Sequence, residues 1–262
     1  MNKFTIRQIV NVLAVIATLV VNGLANALPL NGQTTGEISD RFQVYFVPAG
    51  YVFSIWGLIY LALIAFAIYQ AIPAQRNNPR LNRIGYLFAL SSLANMTWLF
   101  LWHYEQFLLT LIAMLSLLGL LIAIYLRLEV GRSPVSAGEK WFVHIPFSIY
   151  LGWITVATIA NITQVLDFIN WNGWGVTGQI WALIMLIAGG VITLVVYQTR
   201  NDVAYVLVII WSYVGIAVKQ VNAPAVALPA WIIAGLLALL LLASALLMQR
   251  RKRTSELAST QS

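Results

Sequence analysis

Residues 47–63 of the chain read VPAGYVFSIWGLIYLAL. This stretch has no charged residue and is apolar enough to lie in the hydrocarbon of a membrane. It also carries a proline, two glycines and four aromatic residues, Tyr51, Phe53, Trp56 and Tyr60. A simple membrane anchor needs only aliphatic side chains, so the aromatic residues call for a separate explanation.

The composition of the whole chain indicates an integral membrane protein. Of its 262 residues 61% are hydrophobic and only 9% are charged, whereas soluble domains carry roughly 25% charged residues. In hydrocarbon the backbone must satisfy its own hydrogen bonds, which leaves helical bundles and closed barrels. The apolar runs are about 20 residues long and do not alternate as barrel strands do. We therefore predict an all-α membrane protein.

Eight apolar segments can be marked along the chain. None of them contains Asp or Glu, and all eight acidic residues fall between or beyond them. The segments, which are predicted to be transmembrane helices, are 9–29, 50–71, 84–102, 107–126, 142–161, 178–198, 203–220 and 227–248.

The distribution of basic residues supports this count and predicts an orientation. If the N-terminus is cytoplasmic, 13 of the 15 basic residues lie on the cytoplasmic side, and only Arg41 and Lys219 lie outside. Such a bias is what the positive-inside rule predicts for correctly counted spans. Both termini are then expected in the cytoplasm. Since no organellar presequence is recognisable, a bacterial plasma membrane is the expected location.

The first segment has two interpretations. Lys3 and Arg7, an apolar run and the small residues Ala25 and Ala27 are typical of a cleaved signal peptide. The run is long for a signal peptide, however, and contains Asn11 and Asn22. We expect a retained first helix, with cleavage before Leu28 as the alternative.

Charge and cysteine content limit the function classes. The chain has no cysteine, which excludes disulfides, thiolate nucleophiles and cysteine-ligated metal sites. The net charge of +7 lies beside apolar segments, where it serves lipid contact and orientation, so no nucleic-acid partner is expected. The tail at 249–262 is a basic cluster followed by polar residues, and we predict a disordered cytoplasmic segment that anchors at lipid head groups.

Aromatic and amide residues recur at helical spacings of three and four on three segments. They are Phe53, Trp56 and Tyr60; Asn95, Trp98 and Trp102; and Trp153, Ala157 and Asn161. At this spacing the side chains share one helix face. One interpretation is helix packing, in which a membrane asparagine contributes about 1 kcal/mol. The other is a pocket for a flat apolar ligand, with ring walls and amides that fix its orientation.

These three groups, in this order, resemble the tryptophan-rich sensory protein (TspO/MBR) family, also called translocator protein. The family pattern P-P-G-W-V-F-G-P-V-W-T-x-L-Y is similar at Pro48, Gly50, Val52, Phe53, Trp56 and Tyr60. The pattern L-x-x-N-x-x-W-S-x-x-F is similar at Asn95 and Trp98, with Leu99 in place of serine. The pattern P-Y-x-x-W-x-x-F-A-T-x-L-N is similar at Trp153, Ala157, Thr158 and Asn161.

The resemblance implies a five-helix bundle over residues 1–170 around a pocket for porphyrins, other tetrapyrroles, sterols or aromatic drugs. Its expected ligand-binding residues are Phe53, Trp56, Tyr60, Asn95, Trp98, Trp102, Tyr150, Trp153, Ala157 and Asn161. Pro48, Gly50 and Pro146 are expected to shape helix entries. Pro146 precedes Trp153 by seven residues rather than four, so the fifth helix is expected to be longer or to be entered differently. Three additional helices occupy 171–248, a region that the five-helix pattern lacks.

The expected function is that of a membrane sensor or receptor without enzymatic turnover. No obligatory cofactor or metal is expected, and a porphyrin or haem-type molecule is the ligand that the resemblance suggests. The expected partners are an apolar small molecule and the lipid bilayer, and a homodimer is left open. The main alternative is a transporter of small molecules or lipids. Such a transporter would be uncoupled, because the spans lack the carboxylates that ion coupling normally uses. Photo-oxidation of a bound porphyrin is a further alternative.

Lys219 and the two histidines are the remaining candidates for a covalent-cofactor or metal site. A retinal Schiff base needs a lysine at mid-membrane, but Lys219 is predicted at a helix end, where it can extend to the interface. His103 and His144 are predicted at opposite membrane faces, which argues against a shared metal or haem site.

Overall fold

Eight long helices make up most of the chain in the computed structural model, which describes residues 3–28 and 30–259. We label them α1 to α8. Their bounds are α1 Lys3–Ala27, α2 Ile55–Ala71, α3 Leu87–His103, α4 Phe107–Arg127, α5 Ile145–Phe168, α6 Gly178–Arg200, α7 Val203–Lys219 and α8 Pro224–Ser259. No strand occurs among the described residues. The prediction of an all-α fold is confirmed.

The lengths and surfaces of these helices suit a bilayer. Six of the segments are long and apolar enough to cross a membrane, and α3 and α7, with 17 residues each, complete the set of eight. A span needs about 17–25 residues. Large aliphatic side chains such as Leu61, Ile112 and Leu239 are more than half exposed on the outer surface. Exposure of this kind on so many helices is expected when the outer surface contacts lipid tails rather than water.

The first five helices form a closed ring in the order α1, α3, α4, α5, α2. Interhelical hydrogen bonds connect neighbours in this ring. The Gln8 side chain donates to Gln70 O at 2.6 Å, and the Gln70 side chain donates back to Gln8 O at 3.0 Å, which joins α1 to α2. Asn22 donates to Asn95 Oδ1 at 2.9 Å, which joins α1 to α3. Such bonds fix the helix register in lipid, where the hydrophobic effect does not drive helices together.

The three additional helices pack beside the ring. Helix α7 lies against α5 and α8, and α6 lies against α8 and α7. Small residues allow the close approach: Gly152 of α5 faces Val208 of α7, and a Cβ at Gly152 would lie 3.1 Å from Val208 Cβ. The Tyr213 hydroxyl of α7 donates to Leu186 O of α6 at 2.8 Å. The additional helices are therefore joined to the ring mainly through α7.

The segment that opens the sequence enters its helix in two steps. Residues Gly50–Ser54 form a 3-10 turn, and α2 begins at Ile55, five residues later than the predicted start of the segment. Two hydrogen bonds hold this turn against α7: Ala49 N–H donates to Gly215 O at 3.1 Å, and Trp211 Nε1 donates to Val52 O at 3.2 Å. Pro48 and Gly50 thus lie at the entry to α2, and the contact with α7 explains its tighter geometry.

Pro146 also lies at a helix entry of special geometry. A π-helical turn, Lys140–His144, precedes α5, and Pro146 falls in the first turn of the α-helix that follows. Proline has no N–H and crowds the preceding turn of a regular helix. The wider π turn relieves this conflict, because its hydrogen bond runs from Ile145 N–H to Lys140 O. The fifth helix is thus entered through a π turn, which was one of the two alternatives for this segment.

Ion pairs lie at both ends of the bundle. At one end, which we call the basic end, Arg80 pairs with Glu139 at 3.4 Å and Arg83 pairs with Glu129 at 2.8 Å. The hydrogen bond from Arg83 lowers the pKa of Glu129. At the opposite end Lys219 pairs with Asp40 at 2.6 Å. Lys219 is therefore at a helix end, far from the position that a Schiff base would need.

The last helix is longer than the sequence predicted. Helix α8 continues to Ser259, whereas we expected a disordered tail from Gln249. The basic cluster and the residues after it include Arg, Lys, Glu, Leu and Ala, which are good helix formers and can extend an existing helix. Residues 260–262 of that expected tail lie outside the described residues.

The contact between α7 and the 3-10 turn leads to a first prediction, on Gly215. An added Cβ there would overlap Val52 Cγ2 and lie 3.2 Å from Pro48 Cβ. We expect Gly215→Ala to destabilise the protein by about 1–3 kcal/mol, the usual cost of overpacking, measured by unfolding in detergent. The matched control is Gly235→Ala in α8, where an added Cβ meets nothing within 4 Å. Equal stability of the two variants would contradict this packing.

Candidate ligand-binding cavity

A small internal cavity lies inside the five-helix ring, where three aromatic helix faces meet. Its volume is about 40 Å³. Seven of the ten predicted ligand-binding residues line it: Phe53, Trp56, Trp98, Trp102, Trp153, Ala157 and Asn161. Further lining residues are Thr35, Ser39, Val47, Pro48, Met114, Val156, Ala160 and Gln164. The structure thus brings together one group from each of α3 and α5 and from the entry and start of α2.

One wall of the cavity is a pair of stacked indoles on α3. The rings of Trp98 and Trp102 are 5.5 Å apart and tilted by 17°. Trp102 Nε1 donates to Thr35 O at 3.2 Å, and Trp98 Nε1 donates to Asn161 Oδ1 at 3.4 Å. Both indole N–H groups are therefore partnered, and each bond ties α3 to a different part of the cavity wall.

The opposite wall combines residues from α2 and α5. The ring of Trp153 meets Phe53 and Trp56 edge to face, at centroid distances of 5.6 and 6.1 Å. Trp56 stacks on Tyr60 at 5.6 Å. Edge-to-face and offset contacts of this kind are the favoured aromatic geometries. Tyr60 supports Trp56 from behind and does not line the cavity.

Two other predicted residues also lie behind the cavity wall. Tyr150 is buried and meets Trp56 at 6.0 Å, and its side chain forms a hydrogen bond with Asn95. The Asn95 amide oxygen also accepts from Asn22 of α1. These groups do not line the cavity but connect α1, α3 and α5 next to it.

Asn161 is the polar centre of the cavity wall. Its oxygen accepts from Trp98 on α3, and its Nδ2 donates to Thr110 Oγ1 on α4 at 3.0 Å. The side chain is almost fully buried. A buried amide without partners costs about 1–3 kcal/mol. Asn161 therefore holds three helices in one arrangement.

The indole of Trp153 differs from those of Trp98 and Trp102, whose N–H groups have partners. Its Nε1–H is buried and has no hydrogen-bond partner in the structure, although the residue is only 2% exposed. Buried donors are normally paired. A donor that lines a cavity in this state can be satisfied by a water molecule or by an acceptor on a ligand.

A short helix, Thr35–Asp40, covers the cavity, and we call residues 34–47 the lid. The helix begins with a capping box in which Thr34 and Glu37 bond each other reciprocally. These bonds to Thr34 lower the pKa of Glu37, so acidification weakens the cap. Gln164 of α5 donates to Ser39 Oγ at 2.8 Å.

Four polar or flexible residues of the lining were not predicted from the sequence: Thr35, Ser39, Met114 and Gln164. Gln164 could have been found, because it follows Asn161 by three residues and shares its helix face. Thr35 and Ser39 could not, because their position depends on how the lid folds back over the ring.

The cavity is too small for a drug-sized molecule in the present conformation. A volume of about 40 Å³ is enough for a few water molecules at most, whereas small-molecule sites usually measure about 300–1,000 Å³. Among the described residues no group of His, Cys, Asp and Glu could hold a metal ion. His103 and His144 lie near opposite ends of the bundle, at the end of α3 and before α5.

Comparison with known proteins assigns the family. The family model described as "TSPO-like protein" matches residues 8–243. The chain belongs to the TSPO-like protein family. The match continues past residue 170 and includes α6, α7 and most of the apolar part of α8, which the sequence resemblance did not cover. No curated protein and no solved structure was found to match the chain.

The bond between Gln164 and the lid leads to a second prediction. We expect Gln164→Leu to release the lid, because one net hydrogen bond contributes about 1 kcal/mol. Amide hydrogen exchange in residues 35–42 should then be about fivefold faster. The control is Thr163→Val, since the Thr163 hydroxyl bonds only Ala160 O of its own helix. Unchanged exchange in the lid of Gln164→Leu would show that this contact does not hold it.

Proposed function

We propose that this TSPO-like protein is a membrane sensor that binds a flat, mainly apolar ligand, such as a porphyrin, between the aromatic walls of the ring. The observation that carries the proposal is the convergence of four indoles from α2, α3 and α5 on one cavity, with the Trp153 N–H buried and unpartnered. Aromatic walls stack on a planar guest, and a single polar group fixes its orientation.

Binding of such a ligand requires the lid to open. Besides the bonds to Gln164 and Trp102, the lid is held by two ion pairs that are partly exposed, Arg41 with Glu105 at 2.9 Å and Asp40 with Lys219 at 2.6 Å. Exposed ion pairs contribute only about 0–1 kcal/mol each. Opening of the lid breaks these weak polar contacts but also exposes the buried side chains Ile38, Phe46 and Val47, and burial of a large aromatic ligand has to offset this cost.

The proposal includes a cellular setting and a role. We place the protein in a bacterial plasma membrane with both termini in the cytoplasm, on the basis of the positive-inside bias. The lid then lies on the outer side, so the ligand enters from outside or from the outer leaflet. We assign a binding role without turnover.

The third prediction tests ligand binding by titration of the detergent-purified protein with protoporphyrin. We expect saturable tryptophan quenching and a matching shift of the porphyrin absorption band. Trp153→Ala should weaken binding by about tenfold or more, which corresponds to 1.4 kcal/mol, a modest share of what burial of an indole provides. The control is Trp231→Ala, which removes one half-exposed indole from α8.

The titration, the association rate and a flux measurement in liposomes together separate the alternatives. Linear quenching that is equal in wild type and Trp153→Ala would indicate partitioning into the micelle and would overturn the proposal. A faster association rate in Gln164→Leu would support gating by the lid. Saturable flux of the ligand across liposomes, absent in a Trp56→Ala/Trp153→Ala double variant, would favour the transporter alternative instead.

A further inference from the structure

A second and much larger concavity lies outside the ring, at the basic end. It has a volume of about 1020 Å³ and is bounded by α2, α5, α7 and the loops that precede α5 and α7. We call it the basic-end groove. Because α7 forms one wall, the groove exists only where the additional helices meet the five-helix ring.

The lower part of the groove is apolar and open to the side. Leu58 of α2 is 51% exposed, and Leu207 and Trp211 of α7 are 53% and 39% exposed. Ile149 of α5 also lines the groove. These side chains belong to membrane-spanning helices, so this part of the groove faces hydrocarbon and suits an acyl chain.

The upper part of the groove is cationic. Arg132, Lys140 and Arg200 line it. Within the described part of the chain, neither Arg132 nor Lys140 has an ion-pair partner, in contrast to Arg80 and Arg83 nearby. The structure therefore leaves two cations at the mouth of an apolar groove without a neutralising carboxylate.

Three further polar residues of the lining, Asp202, Arg200 and His144, differ from these two cations. Among the residues that the structure describes, Asp202 is the only acidic one that lines the groove, and its carboxylate already accepts hydrogen bonds from the Tyr125 hydroxyl at 2.8 Å and from Tyr205 N–H at 3.1 Å. Arg200 is held over the Tyr125 ring at 5.6 Å. His144 is 5% exposed, and its Nε2 is buried without a partner. An oxygen-rich group in the upper groove would meet cations and an unsatisfied imidazole nitrogen.

We propose that the basic-end groove is a binding site for an anionic phospholipid, with the phosphate between Arg132 and Lys140 and an acyl chain along Leu58 and Leu207. Cationic groups beside apolar surface at the membrane boundary are the combination that recognises anionic lipid head groups. The site is separate from the aromatic cavity. It gives the additional helices a specific role, which is to build one wall of a lipid site.

The experiment measures thermal stabilisation of the purified full-length protein in neutral detergent by three probes. They are dioleoyl-phosphatidylglycerol, dioleoyl-phosphatidylcholine with the same chains, and inorganic phosphate. We expect saturable stabilisation by phosphatidylglycerol alone. In Arg132→Gln/Lys140→Gln the apparent affinity should fall about fivefold for each cation removed.

Two variants control for charge and for the apolar wall. Arg76→Gln/Arg127→Gln removes the same charge from the same end, at positions that do not line the groove, and should retain the affinity. Leu207→Trp keeps every charge and narrows the space for the acyl chain, so it should weaken phosphatidylglycerol binding. Circular dichroism and gel filtration confirm that each variant is folded before its affinity is compared.

Each other outcome overturns the proposal. Equal stabilisation by the two lipids would show that the head group is not recognised. Saturable stabilisation by phosphate alone would assign the groove to a soluble anion. An equal loss of affinity in the two double variants would attribute binding to the overall surface charge. None of these results depends on porphyrin binding in the ring.

Discussion

The two hydrogen bonds of the Asn161 side chain are the interaction on which the geometry of the ring depends. In a bilayer the hydrophobic effect does not favour one helix arrangement over another, and specific packing and interhelical hydrogen bonds decide. Asn161 accepts from Trp98 and donates to Thr110, so one buried amide connects α3, α4 and α5. The indole orientation that forms the cavity wall follows from this bond.

Beside this centre the structure leaves the indole N–H of Trp153 buried and unpaired. Trp98 and Trp102 have partners for their indole N–H groups, whereas Trp153 has none. The lid closes over this region through polar contacts and through buried apolar side chains such as Ile38 and Phe46, and the aromatic rings fill most of the space between the walls. The protein thus combines a firmly held wall with a cover that rests on it through both polar and apolar contacts.

The additional helices change the outer surface of the ring. Close packing at Gly152 and Gly215 brings α7 against α5 and the entry to α2. The same packing creates the basic-end groove, whose cations come from the loop before α5 and the end of α6. Two concavities of different character then share the helices α2 and α5: an aromatic, enclosed cavity below the lid and an open groove with a charged mouth.

The helical class and the approximate positions of the long helices were predictable from the sequence, because continuous apolar runs without acidic residues form helices in lipid. The family was predictable from the three ordered aromatic motifs around Trp56, Trp98 and Trp153. The aromatic faces of α2, α3 and α5 were also readable, since a spacing of three and four fixes which side chains share a face. Tertiary structure alone decided that Tyr60, Asn95 and Tyr150 lie behind the cavity wall rather than on it, and that Thr35 and Ser39 reach it. It also decided the size of the cavity and the existence of the groove beside α7. Spacing along one helix specifies a face but not the rotation of that helix against its neighbours, and this rotation depends on contacts between residues far apart in the chain.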